Sequence, residues 1–133
     1  MKKIIAVILV IAACGIIFAS CGYTKSTTPE KCIKNVETAI NKKDAKGLLK
    51  CFNPDRDWDF SEDDAKELID DFYINEFKDA KKLSFKVSDV EYGDDKTECY
   101  VTVKVTAKGV DYEDKMVLSL SKVDGVWYLN DDF

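Results

Sequence analysis

Five cysteines and no histidine set the limits of the chemistry open to this 133-residue chain. Without an imidazole, Ser-His-Asp and Cys-His catalysis and histidine-ligated zinc are closed, and a proton switch near neutral pH has no ordinary group to run on. The cysteines divide by position: Cys14 and Cys21 lie in or just after an uncharged apolar stretch, whereas Cys32, Cys51 and Cys99 lie in the polar remainder. The latter three contain no Cys-x-x-Cys pair, so a dithiol redox role lacks its motif. Cys32 and Cys51 fall on consecutive helical segments, and a hairpin of the two would bring them within disulfide reach. Cys99 shares the alternation of Val101 and Val103, which marks it as a buried structural thiol.

Carboxylates are the remaining reactive groups. Asp55, Asp57 and Asp59 alternate around Arg56 and Trp58 and match the opening rhythm of a calcium loop. The Gly and Glu that such a loop needs further on are absent, so the reading is an acidic surface turn and only a weak metal candidate. Glu91-Tyr92-Gly93-Asp94-Asp95 reads as a solvated turn. Two carboxylates can share acid and base roles when their environments separate their pKa values, but no spacing marks such a pair here. Trp58, with Phe60 and Tyr73, is a candidate lining for a binding mouth, and Trp127 a core residue of the last strand. No Gly-rich phosphate loop or basic aromatic groove is present, which argues against nucleotide and nucleic-acid partners. No motif calls for a cofactor.

The address is written at the N-terminus. Met1-Lys2-Lys3 precedes residues 4-20, which carry no charge, and these end in small residues before a cysteine. Charged n-region, apolar h-region and small-residue cleavage segment resemble a bacterial lipoprotein signal peptide. Phe18-Ala19-Ser20-Cys21 is the preferred lipidation site. Ile11-Ala12-Ala13-Cys14 is the alternative, and would leave a shorter h-region and an apolar Gly-Ile-Ile-Phe behind it. An uncleaved span, since about 20 apolar residues cross a bilayer, and ordinary secretion are the other readings. The resemblance implies a leader over 1-20, a lipidated Cys21 with a polar tether to residue 28, and one domain over 29-133. It also implies a place on the extracytoplasmic face of a bacterial membrane. Loss of Lys2 and Lys3 takes the net charge from -5 to -7. So acidic a domain argues against direct adhesion to anionic lipid and for an envelope protein or small ligand as partner.

Helices and strands must position these groups. Thr28-Pro29-Glu30 opens a helix with Ile33, Val36 and Ile40 on one face. A short second helix is expected over Asp44–Cys51, weakened by Gly47, and closed by Asn53-Pro54. Ser61 caps a third, whose stripe of Ala65, Leu68, Ile69, Phe72, Tyr73, Phe77 and Ala80 predicts one continuous helix. From Leu83 the period falls to two, giving strands near 85-88, 99-107, 110-121 and 126-129, with Asp124-Gly125 a hairpin turn. The expected class is α+β: two or three N-terminal helices packed on a curved four-stranded antiparallel sheet.

That order resembles the cystatin-like and nuclear-transport-factor-like (NTF2-like) folds. It is similar in particular to small bacterial lipoprotein domains of unknown function. The matching features are the early helix with its Asn-Lys-Lys-Asp-Ala-Lys turn, the aromatic helix, and the terminal Lys122–Leu129 strand. The resemblance implies a helix-sheet cone, where related enzymes that isomerise or dehydrate small molecules use acids and sometimes a Tyr. Tyr73, Asp89, Tyr100 and Tyr128 are the residues that could do so here, and Tyr100 and Tyr128 join Trp58, Phe60 and Tyr73 as the expected mouth. A non-catalytic binding module is the first expectation. A small-molecule enzyme and a structural envelope lipoprotein are the alternatives.

Overall fold

The computed structural model describes residues 22–130, so Cys14, Cys21 and the apolar N-terminal stretch lie outside the described residues. Among the described residues no helix is long and apolar enough to cross a membrane. Helix α1 (Pro29–Lys42) starts where Thr28 Oγ1 accepts the Lys31 amide, with Pro29 in the first turn where no N–H is needed. Its buried stripe of Cys32, Ile33, Val36, Ala39 and Ile40 faces the sheet. It stops at Lys43, which adopts the left-handed conformation (φ 55°) and sends its N–H back to Ile40 O. Helix α2 (Ala45–Leu49) is short and is capped by Asp44, whose Oδ1 accepts the Gly47 amide at 3.0 Å. Helix α3 (Glu62–Asp71) opens with a reciprocal capping box between Ser61 and Asp64.

The third helix does not run on to Ala80 as its stripe predicts. At Phe72 it widens into a π-helical turn (Phe72–Glu76), closed by the Phe77 N–H donating to Phe72 O at 2.6 Å. The reason lies in the spacing of the two phenylalanines. In an α-helix residues five apart point about 140° apart. The wider turn brings Phe72 and Phe77 to the same side, where both are buried with their rings stacked at 6.4 Å.

Four strands follow as an antiparallel meander in the order β1 (Leu83–Tyr92), β2 (Glu98–Ala107), β3 (Val110–Val123) and β4 (Val126–Leu129). Their alternation sets the register: Phe85 faces Val105, Val101 faces Leu118, and Leu120 faces Leu129, all buried on the helix-facing side. A bulge at Ser88 adds a residue to β1 between Val87 and Asp89, and the β2–β3 register slips by two between Val105 and Ala107, where Asp111, Tyr112 and Glu113 of β3 stand opposite Thr106. Helix α1 packs on both β1 and β4 and so crosses the inner face from edge to edge.

Both outer strands of the sheet are closed by groups from the N-terminal half, which protects edges that would otherwise recruit other chains. On β1, Glu37 Oε2 accepts the Phe85 amide at 2.8 Å, while Asn41 accepts the Leu83 amide and donates to its carbonyl. On β4, Ser26 O accepts the Trp127 amide, Cys51 O accepts the Leu129 amide, and the Asn53 amide donates to Leu129 O. The packed domain therefore begins at Tyr23 and not at Pro29. Residues 23–27, expected to be a polar tether, form a strap lying between α1 and β4.

Candidate functional site

The strap is held by side chains that its own composition does not advertise. Asn35 is buried on α1, accepts the Thr24 amide at 3.0 Å, and donates to Thr24 O and Ser26 Oγ. Tyr23 is buried and donates its hydroxyl to Asp44 Oδ2 at 2.8 Å. That bond passes directly over Gly47, where a Cβ would collide with both the hydroxyl and the carboxylate. Gly47 is thus present because the strap needs the space, even though it weakens α2.

Between strap, α2 and β4 lies a cleft of about 180 Å³. Its walls are mainly apolar, supplied by Tyr23, Cys51, Val126, Trp127 and Tyr128, with Lys25 and Lys50 also on its lining. An apolar cavity of this order takes a ring-sized group. Burial pushes the Cys51 thiol up to about 12, and its Sγ donates to Gly47 O, so it is a neutral lining group and no nucleophile.

The five residues expected to line one mouth are spread over the molecule. Trp58 and Phe60 form an aromatic cluster with Phe52, with ring centroids 4.4 to 5.9 Å apart, and Arg56 clasps that loop by donating to Asn53 O and Phe60 O. Tyr73 donates to Asn41 Oδ1 at the end of α1. Tyr100 is 59% exposed on the outer face of the sheet, opposite Glu91 and Ser119, and Asp89 is exposed on the same face opposite Thr102. Only Tyr128 reaches the cleft. Tyr73, Asp89, Tyr100 and Tyr128 therefore do not converge.

Two other expectations change. Cys32, Cys51 and Cys99 are all free and buried, so the Cys32–Cys51 bridge is not formed, the Cys51 thiol being turned to Gly47 O. Burial raises all three thiols, Cys99 to about 11. Asp55, Asp57 and Asp59 are exposed, and among the described residues no group of three acids or thiols is placed to hold a metal ion. Trp127 is buried, as its place in the last strand predicts.

A second concavity, of about 250 Å³, lies at the β1–β2 hairpin and is lined by Glu91, Tyr92, Glu98, Cys99, Tyr100 and Ser119. Its character is opposite to that of the strap cleft: the lining carries acids and no lysine. A further acidic group stands at the π-turn. There Glu76 is raised to about 7 by burial and by hydrogen bonding and repulsion from Asp114 and Asp71. Tyr112 shares that neighbourhood, its hydroxyl raised by Asp114 and its ring 5.2 Å from that of Phe77.

Comparison with solved structures settles the architecture. A SEC-C motif containing protein from Rhodopseudomonas palustris superposes with a TM-score of 0.59 at 19% identity, over 84% of this chain and 85% of that one. A cystatin-like protein of unknown function from Nostoc punctiforme gives 0.54 at 13% identity, over 76% and 82%. An NTF-2 like protein of unknown function from Shewanella oneidensis gives 0.50 at 14% identity, over 76% and 90%. The fold is NTF2-like and cystatin-like. No family model and no curated protein matches the chain. Identities this low carry the NTF2-like fold and nothing finer. Within it, the space between helices and sheet is filled by Phe52, Phe72, Phe77, Phe85, Leu83 and Leu120, all buried.

Proposed function

We propose that the chain is a membrane-tethered extracytoplasmic lipoprotein whose NTF2-like domain is a non-catalytic binding module, with the strap cleft as its mouth. One observation carries the binding reading: the helix-sheet interior is filled by buried aromatic and aliphatic side chains, while the strap and β4 enclose an apolar cleft with Trp127 in its wall. Export rests on the N-terminal signal pattern, and Cys21 is the residue we assign to lipidation.

The cleft's size and lining support one chemical class of ligand. A single ring or short branched chain fills it, and Lys25 and Lys50 favour an anionic substituent at its rim. Phenylacetate and its neutral amide are suitable probes. Titration of the protein with each, followed by the Trp127 indole N–H resonance, is expected to show saturable shifts with phenylacetate and weaker ones with the amide. Val126→Phe, which fills the cleft from β4, is expected to abolish them. Shifts spread over the surface, or unchanged in that variant, reject the mouth. Mass spectrometry of the N-terminal peptide from the membrane fraction tests the anchor independently, and an intact Met1 with unmodified Cys21 rejects it.

A further inference from the structure

The net charge of the domain hides a division. Residues 22–50 hold seven lysines against three acids, while residues 51–133 hold eleven basic groups against twenty-two acids. The N-terminal helical segment is thus at +4 and the remainder at -11. Within this basic segment Glu37 is occupied by Lys34 and the Phe85 amide, and Asp44 by the Gly47 amide and the Tyr23 hydroxyl. The seven lysines are all exposed.

Their placement follows the strap. Gly22 lies against α1 where a Cβ would sit 3.1 Å from Lys42 Nζ and 3.7 Å from Thr38 Cγ2. Lys42 Nζ stands over the Tyr23 ring at 5.8 Å. Lys25 and Lys50 lie at the cleft beside the strap, and Lys46 precedes the glycine that Tyr23 covers. One residue, Gly22, separates Cys21 from buried Tyr23. Each residue of a tether adds at most about 3.8 Å of reach, so the sequence allows only a short link between a lipid held at position 21 and the strap.

We infer that the strap side of the domain, presenting Lys25, Lys42, Lys46 and Lys50, is a docking face for the anionic phospholipid headgroups of the bilayer. This rests on the lipid-anchor reading of Cys21. A rigid strap holds these lysines within a Debye length of the headgroups, where each lysine is attracted, and the same field repels the -11 remainder. The domain is oriented by its charge division as well as held by its anchor, and the cleft opens toward the headgroup layer.

The test uses the full chain as purified from membranes. It is reconstituted into phosphatidylcholine vesicles with and without phosphatidylglycerol, then treated with a water-soluble amine-acylating reagent and digested for mass spectrometry. Lys25, Lys42, Lys46 and Lys50 are expected to react about threefold more slowly when phosphatidylglycerol is present, with the protection lost at high salt. Lys104 and Lys115, which pair across the outer sheet face, are the internal controls and are expected to react equally in both. The Lys42→Glu/Lys46→Glu/Lys50→Glu variant is expected to lose the protection remaining at Lys25. Equal labelling of all lysines in the two vesicle types overturns the docking face. The same digest reports the mass of the Cys21 peptide, so an unlipidated Cys21 overturns the anchor while the lysine ratios still decide the docking face.

Discussion

The strap side and the π-turn side of the domain handle charge in opposite ways. In the segment that carries the strap, two of the three acids, Glu37 and Asp44, are drawn into hydrogen bonds that hold the structure, and the seven lysines are exposed. At the π-turn, carboxylates crowd one another: Asp71, Glu76 and Asp114 meet, and Glu76, raised to about 7, takes up a proton near neutral pH. Ion pairs elsewhere in the acidic segment, such as Lys66–Asp70 and Lys104–Glu113, join exposed groups and contribute little. The difference separates two uses of polar residues. On one side they specify how the chain is stitched together, and on the other they add surface charge at some expense to stability.

The stitching is the place to break that contrast hardest. Asn35→Ala removes one acceptor and two donor bonds to the strap from a side chain only 6% exposed, and leaves the Thr24 amide without its partner. A loss of about 2–3 kcal/mol is expected, seen as a lower denaturation midpoint. Hydrogen exchange is expected to quicken first at the Trp127 amide, which the Ser26 carbonyl holds, while amides in β2 stay protected. Uniform loss of protection across the sheet would show that the strap is not a separate unit.

Much of the fold was legible and most of the site was not, for physical reasons that can be named. The change from a period near 3.6 to 2 at Leu83, the capping box at Ser61–Asp64 and the Asp124-Gly125 turn are local signals, and each element they mark is present. The π-turn escaped because a helical stripe with Phe72 and Phe77 five apart is a marginal mismatch that tertiary packing resolves. The strap escaped because Gly-Tyr-Thr-Lys-Ser-Thr-Thr has the composition of a linker, and its partners Asp44 and Trp127 lie far from it in sequence. One signal was available: Asn35 is a polar residue set on the apolar stripe between Cys32 and Val36. Parity in β2 also placed Tyr100 opposite in facing to buried Val101, which removes it from any interior mouth. The lysine-rich character of residues 22–50 was visible too, but a single net charge for the chain averages it away.

Gly47→Ala tests whether the strap or local propensity governs α2. In an isolated helix the change is favourable by about 1 kcal/mol. Here the new methyl meets the Tyr23 hydroxyl and the Asp44 carboxylate, the bond between them is displaced, and Tyr23 loses its seat. The sign is therefore expected to reverse, to a destabilisation of about 1–2 kcal/mol after the gain in propensity is offset. Adding Tyr23→Phe is expected to recover some of it, because the clashing oxygen is gone. A thermal melt showing Gly47→Ala at or above the parent would place the control of this turn in α2 itself.

The smallest expected effect comes from the crowded carboxylates, and it depends on pH. Glu76 has a folded pKa of about 7 against an ordinary 4.5, so the folded state binds this proton more tightly than the unfolded chain does. The associated stability is complete below about pH 4.5 and is lost as pH rises through about 7. Above that range Glu76 is ionised and is repelled by its neighbours Asp114 and Asp71. Glu76→Gln removes the charge and can still donate to Asp114. Because Glu76 is only partly buried, solvent screening reduces the gain to about 0.5 kcal/mol, or roughly 2–4 °C in midpoint at pH 8. The difference is expected to shrink steadily as pH falls from 8 to 5. Asn35→Ala, whose bonds involve no titrating group, is expected to keep the same deficit over that interval. Parallel melts of the two variants thus separate the sides of the molecule by pH alone: a Glu76→Gln gain that is flat from pH 5 to 8 would show that Glu76 does not take up its proton near neutral pH.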